Sequence, residues 1–268
     1  MEKENEIRYV TRSKLRPFRY HPYLVREDEE MANLVNSIRE NGVIEPLIVR
    51  KITSKQYEIL SGHRRFKACQ ILGLSDIPII IKDIKMPEAA IFVVDSNLQR
   101  ENLLPSEKAF AYKLKMEALY HRGDISYDEL KKSPVETSYN TDSAKKIAQE
   151  EGTSRAQIFR FIRLTYLNKD LLDLVDKKVI AFRPAVELSY LNESQQEILF
   201  SIIEELGATP SLSQSQKIKK AAKEGTFDEY MLYDLLSEAK PNQREKLKID
   251  MEELIDYFPR GTTPVFSF

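Results

Sequence analysis

The sequence predicts an α+β fold: a small α/β domain over residues 1–105, an all-α helix-turn-helix domain over 106–191 and a helical C-terminal region over 192–268. Three observations predict it. β-branched runs at 43–50 and 77–81 alternate with helical stripes in the first hundred residues. A helix, a glycine turn and a second helix with a basic face follow over 143–165. Beyond these, apolar residues keep helical spacing, as at Ile198, Ile202, Ile203 and Leu206.

Composition sets the bounds. The chain has 268 residues, 42% apolar and 31% charged, enough to bury the core of one large domain or of two to three small ones at ~150 residues per domain. The single cysteine, Cys69, excludes an internal disulfide and a cysteine-only metal site. His21, His63 and His121 are scattered without metal-ligand spacing. With no apolar leader and no membrane-length run, the expectation is a cytoplasmic protein without a membrane partner. The formal charge of −1 hides an asymmetry: fifteen acidic and nine basic residues from Glu187 onward leave +5 on the first 186. A chain that meets nucleic acid through its first two-thirds has this balance, as does ordinary surface variation.

The elements follow in order. Residues 7–10 read as a short strand, and the aromatic, proline-bearing arm to Tyr23 as irregular; His21 precedes Pro22 and reads as a packing residue. Met31, Leu34, Val35 and Ile38 mark a helix ended by Asn41-Gly42. Strands are predicted over 43–50, 56–60 and 77–81, the first two antiparallel. Pro87 starts a helix, and Ser106 is the expected N-cap of a long helix over 108–122 that ends at Gly123-Asp124. Residues 133–142 read as an exposed loop, 227–239 as a helix and 240–243 as a linker. Apolar clusters follow at 251–258 and 264–268.

Two stretches carry chemistry. Gly62-His63-Arg64-Arg65-Phe66-Lys67-Ala68 joins a strand to a helix through a glycine. A glycine there lets the backbone approach an anion, and the first helical turn offers unpaired N–H groups and the positive dipole end. Arg64 and Arg65 add planar, bidentate donors, so the site suits phosphate oxygens. It is not a Walker-type loop, and spacing alone fits a solvated basic helix start equally. In the second stretch, Ala148, Gly152, Ile158 and Phe161 fall where two helices must touch, turn and be held at an angle. Ser154 caps the second helix, whose exposed face is predicted to show Arg155, Gln157, Arg160 and Arg163, with Lys145 on the first helix. Arg155 is the best candidate for a base or phosphate contact. A structural helix pair is the alternative.

Together with Ser96-Asn97-Leu98-Gln99-Arg100-Glu101-Asn102-Leu103, these stretches resemble the ParB/RepB partition-protein family, with its G-E-R-R-x-x-A and E-N-x-Q-R-x-x-L boxes, over roughly residues 8–190. The resemblance implies a ParB/sulfiredoxin-like α/β domain that binds CTP with Mg²⁺, and a homodimer that closes on double-stranded DNA as a sliding clamp. It also implies a ParA-like ATPase partner in plasmid or mobile-element segregation. By position, Gly62, His63, Arg64, Arg65, Asn97, Gln99 and Arg100 would hold the nucleotide phosphates, Asn97 the metal, and Glu45 in Ile44-Glu45-Pro46 the nucleobase end. The family's two carboxylates are His63 and Ser96 here, so any CTPase activity should be weak or absent; Asp95 could replace one only through a ~100° rotation about a helix. The family's Ser-Arg helix start is matched by Ser154 and Arg155. Its G-H-A-R run is not matched by Arg183-Pro184-Ala185-Val186, so the DNA site need not be shared. The alternatives are a nucleotide-independent helix-turn-helix regulator and an enzyme on this scaffold, such as a free-serine kinase or a sulfiredoxin. Gly62 stands where sulfiredoxin has its cysteine.

Overall fold

The computed structural model describes residues 6–100, 102–120 and 141–237. The helix end at Gly123, most of the loop expected over 133–142, the linker at 240–243 and the apolar clusters at 251–258 and 264–268 lie outside these residues. The N-terminal part is a five-stranded sheet of β1 (Ile7–Thr11), β2 (Leu15–Pro17), β3 (Leu47–Thr53), β4 (Gln56–Ser61) and β5 (Asp76–Lys82), ordered β1-β5-β3-β4-β2. β3 and β4 form an antiparallel hairpin; β3 and β5 run parallel. Helices α1 (Glu29–Asn41) and α2 (His63–Ile71) bury Met31, Val35, Ile38 and Phe66 against Leu47, Ile59 and Ile79.

β1 and β2 stand at opposite ends of the strand order, yet only the 3₁₀ turn Arg12–Lys14 separates them. In a flat sheet, four strand spacings of ~4.8 Å would part them by ~19 Å. The four steps from Thr11 to Leu15 reach ~14 Å at most, at ~3.5 Å per residue. The sheet must therefore curl toward closure, and the register shifts between β3 and β4 supply bends for it.

The strand expected from residue 43 begins at Leu47. Pro46 has no N–H for a ladder, and Ile44 is 76% exposed. Residues 43–46 form a loop instead.

The rest is helical: α3 (Met86–Leu98), α4 (Pro105–Tyr120), α5 (Thr141–Glu150), α6 (Arg155–Leu164), α7 (Lys169–Asp176), α8 (Phe182–Leu188), α9 (Glu193–Leu206), α10 (Leu212–Glu224) and α11 (Glu229–Ser237). One core joins α3 and α4 to α5 and α6 through Val93, Met116, Ile147 and Ile158, with Phe18 and Tyr23 from the arm. Another runs from Leu164 to Leu236, so the boundary expected after residue 191 falls inside it: Leu188 and Leu191 pack in the same cluster as Leu199 and Ile203. Ser106 is not an N-cap. α4 starts one residue earlier, with Pro105 at its first position, and Ser106 donates through both N–H and Oγ to Asp176 at the end of α7. Among the described residues, no helix is long and apolar enough to cross a membrane.

Candidate functional site

β4 ends at Ser61, and Gly62 turns the chain in a left-handed conformation, φ 97°. The first intrahelical bond of α2 is Phe66 N–H to Gly62 O, at 2.8 Å. No side chain caps the turn, so the N–H groups of His63, Arg64 and Arg65 point out of the helix start with the positive dipole end. Arg65 donates to the Glu45 and Pro46 carbonyls at 2.6 and 3.0 Å, and its guanidinium is 3.4 Å from the Glu45 carboxylate. Arg64 pairs with Asp28 at 3.0 Å and Glu30 at 2.7 Å, at the start of α1. The end of α3 brings in Asn97, whose Nδ2 donates to Val93 O at 2.8 Å, and Arg100 follows. Among the described residues Arg100 has no ion-pair partner.

These groups line one cleft of about 290 Å³. Glu45, Gly62, His63, Arg64, Arg65, Asn97 and Arg100 all reach it, with Leu24, Val25, Leu34, Ser61 and Ser96. Gln99, the C-cap of α3, does not line it.

The arm over residues 18–24 frames the cleft, tied at four places. Phe18 N–H donates to His63 Nε2 at 3.3 Å, Arg19 N–H to Glu58 at 3.4 Å, Tyr23 Oη to Val94 O at 3.1 Å and Leu24 N–H to Glu107 at 2.9 Å. The second tie rests on a buried cross-strand ion pair, Arg50–Glu58 at 2.6 Å. His21 is a packing residue as expected, and a wall of the cleft as well. Its ring lies 3.7 Å from that of His63, and its Nδ1–H donates to Tyr23 O at 2.7 Å. Burial, then His21 and Arg100, push His63 down to about 3; burial also lowers His21. Both rings are therefore neutral at physiological pH, and the cleft's positive charge comes from its guanidinium groups. With Nε2 accepting, His63 carries its proton on Nδ1.

Amides of a helix start and three guanidinium groups fit a triphosphate. They do not fit a protein-anchored Mg²⁺ ion, which commonly takes one or two carboxylates beside phosphate oxygens. Among the described residues no three His, Cys, Asp or Glu groups cluster as metal ligands. Asp95 does not replace the missing carboxylate: it points at Lys115, 2.6 Å away, which also meets Glu150 of α5 at 2.8 Å. Cys69 is buried and burial raises its thiol pKa, which leaves a cysteine-based reaction without a nucleophile.

The second group of residues lies on α5 and α6. Ser154 Oγ accepts from Gln157 N–H at 3.2 Å, and Thr153 N–H donates to Ala148 O at 2.9 Å across the turn. Lys145, Ser154 and Arg155 are exposed; Gln157 and Arg160 are half-buried and 3.5 Å apart through Oε1 and Nη1. Arg163 is not the freely exposed arginine expected. It donates to Ser189 Oγ at 3.0 Å and to Ser189 O at 2.8 Å, with its guanidinium over Tyr166 and Tyr190. Residue spacing along α6 could not show this, because its partners lie 26 residues on.

Sequence reasoning missed Asp28 and Glu30. Asp28 is the N-cap of α1, accepting from Met31 N–H, and an Asp before a Glu-Glu pair was a readable signal for that role. Its pairing with Arg64 depends on the tertiary fold alone.

The ParB N-terminal domain model matches residues 1–98. The nucleoid occlusion protein of Geobacillus thermodenitrificans is 31% identical over 197 residues, 74% of this chain and 63% of its own length. That of Bacillus cereus (strain AH187) is 31% identical over 245 residues, 91% and 72% of the two chains. The chain thus spans less than two-thirds of the Geobacillus relative. Among solved structures, the C-terminally truncated Caulobacter crescentus chromosome-partitioning protein ParB complexed to the centromeric parS site is 22% identical, with 80% of this chain and 100% of that one covered and a TM-score of 0.43. The same protein complexed with CTP-gamma-S is 25% identical, with 75% and 99% covered and a TM-score of 0.33.

Proposed function

The chain belongs to the ParB family, and on that premise we propose that it is a DNA-binding partition or nucleoid-occlusion protein whose N-terminal cleft takes CTP. One observation carries the nucleotide reading: the Gly62–Arg65 turn and the Asn97–Arg100 segment meet in a single cleft with an uncapped helix start. Family membership and the exposed Ser154-Arg155 start of α6 support the DNA reading. In it α6 enters the major groove, Ser154 and Arg155 contact a guanine edge or phosphates, and Lys145 and Arg160 add backbone contacts. The protein acts as a homodimer that the nucleotide closes on DNA. A ParA-like ATPase is the partner if the role is plasmid or mobile-element partition. The names of the relatives at 31% identity favour nucleoid occlusion over partition. Phosphate binding rests on Arg64, Arg65 and Arg100. Turnover is slow or absent, because no carboxylate stands at His63 or Ser96 and Asp95 is held by Lys115.

Heat unfolding of the full chain with each of the four ribonucleoside triphosphates tests this. A ligand that binds only the folded state adds about 2.7 kcal/mol at 100 times its Kd. CTP is expected to protect most, and Arg100→Ala, which breaks no ion pair among the described residues, to abolish the protection. Indifference to every triphosphate refutes the nucleotide reading. A nucleotide-independent regulator is the second reading, favoured by the carboxylates already on Arg64 and Arg65; retained DNA binding without any protection would establish it.

A further inference from the structure

The C-terminal third is acidic, yet α10 holds Lys217, Lys219, Lys220 and Lys223 against a single glutamate. With the fully buried Ile218 marking the inward direction, Lys219, Lys220 and Lys223 share one outward side of the helix. Lys217, three residues before Lys220, borders the same exposed arc, and Lys220 pairs with Glu224 at 3.8 Å. α10 packs against α8, and α8 against the second helix of the helix-turn-helix pair, α6.

A ladder of cations and rings runs across this packing. Lys113 Nζ, on α4, lies 5.8 Å from the Tyr166 ring centre. Arg163 Cζ, on α6, lies 4.3 Å from Tyr166 and 3.9 Å from Tyr190. Lys219 Nζ, on α10, lies 3.7 Å from Tyr190 and 2.9 Å from Glu187. Resting on rings, these long side chains lose freedom before any ligand arrives. Arg163 and Lys219 share Tyr190, so their charges stand within about one Debye length, ~8 Å at physiological salt. On α6, Arg163 follows Arg160 and Ala156 at the spacing of one face. The ladder therefore continues the face that carries Arg160 onto the lysine stripe of α10.

We propose that Lys220 and Lys223, anchored beside Lys219, form a second contact for the phosphate backbone of duplex DNA, continuous with α6. The proposal rests on the DNA-binding reading above. Contacts to phosphates carry no sequence information, so the contact strengthens binding without choosing sequence. Such a contact shows in the salt dependence: log K falls against log salt with a slope of about 0.9 per neutralised phosphate.

The experiment measures binding of the full chain to a random-sequence duplex of about 40 base pairs by fluorescence anisotropy, over roughly 50–300 mM KCl. The pair Lys220→Gln and Lys223→Gln should reduce the slope by about 1.8 and weaken binding at every salt concentration. Lys55→Gln, at an exposed position in the turn between β3 and β4, should change neither. Glutamine keeps helix propensity at the exposed α10 positions, and circular dichroism follows the fold. An unchanged slope in the double variant, or an equal loss in Lys55→Gln, overturns the stripe as a contact and leaves α6 untouched. Wild-type protein that binds no duplex at any salt removes the DNA-binding reading and this contact with it.

Discussion

Replacing Gly62 by alanine would place a Cβ 3.0 Å from Leu47 Cγ and 3.4 Å from Arg65 Cζ, at a backbone φ of +97°. Two costs add. A side chain in the left-handed region costs about 1–2 kcal/mol. Leu47 is completely buried on β3, so it can yield only by shifting the core, which costs about 1–3 kcal/mol. The sum is about 2–5 kcal/mol. Gly73 separates the two contributions: its φ is +69°, and nothing lies within 4 Å of a Cβ built there. Gly73→Ala should cost about 1–2 kcal/mol, from the backbone alone. The difference between the two variants, about 1–3 kcal/mol, isolates crowding at the turn. Urea unfolding of wild type and both variants, with m-values checked for equality, measures it. Equal costs for the two substitutions would refute the close approach of β3 to this turn, and with it the constraint on Arg65.

Three further outcomes follow from the buried ionisable groups. Burial raises Glu117 on α4 from 4.5 to about 7, against an opposing pull from Lys113. The folded state then holds a proton that the unfolded chain lacks, so stability falls as pH rises from 4.5 to 7, by up to about 3 kcal/mol. Glu117→Gln should flatten that slope in chemical denaturation at several pH values, and an unaltered slope would refute it. His63 behaves oppositely. Held near 3 against an ordinary 6.5, it makes the unfolded chain the better proton acceptor, so stability drops as pH falls from 6.5 toward 3. An NMR titration should find its imidazole neutral at pH 5; an inflection near 6.5 would contradict its buried stacking on His21. Lys115→Met should cost about 1–3 kcal/mol, less than a fully buried pair, because its partners Asp95 and Glu150 are 49% and 41% exposed. A neutral result in urea unfolding would mean that the α3–α4–α5 link carries no energy.

Local patterns were readable and tertiary commitments were not. The Gly62 turn, the helix after it and the Ser154 cap are encoded within a few residues by backbone freedom and short polar side chains, and the structure places them where the sequence implied. A β-branched run suggested a strand from residue 43, but it cannot register that Pro46 lacks a donor or that Arg65, about twenty residues on, takes the loop's carbonyls. Arg163 read as an exposed cation because its position on α6 is outward; Ser189 and Tyr190, just past the end of α8, then close over it. For Asp95 the helical rotation was correctly anticipated, and Lys115 supplies the reason that it stays turned away. The division after residue 191 was drawn from helical stripes, and stripes on α8 and α9 look alike whether they face separate cores or a common one.

The three-residue joint between β1 and β2 has a mechanical corollary. By spanning both rims of the rolled sheet, residues 7–17 act as a hoop, and the arm bordering the cleft springs directly from its end. Extra residues ahead of Ile7 would leave the hoop closed. Extra residues inserted within 12–14 would let the rims spread and slacken the cleft wall from outside, without altering any group that lines it.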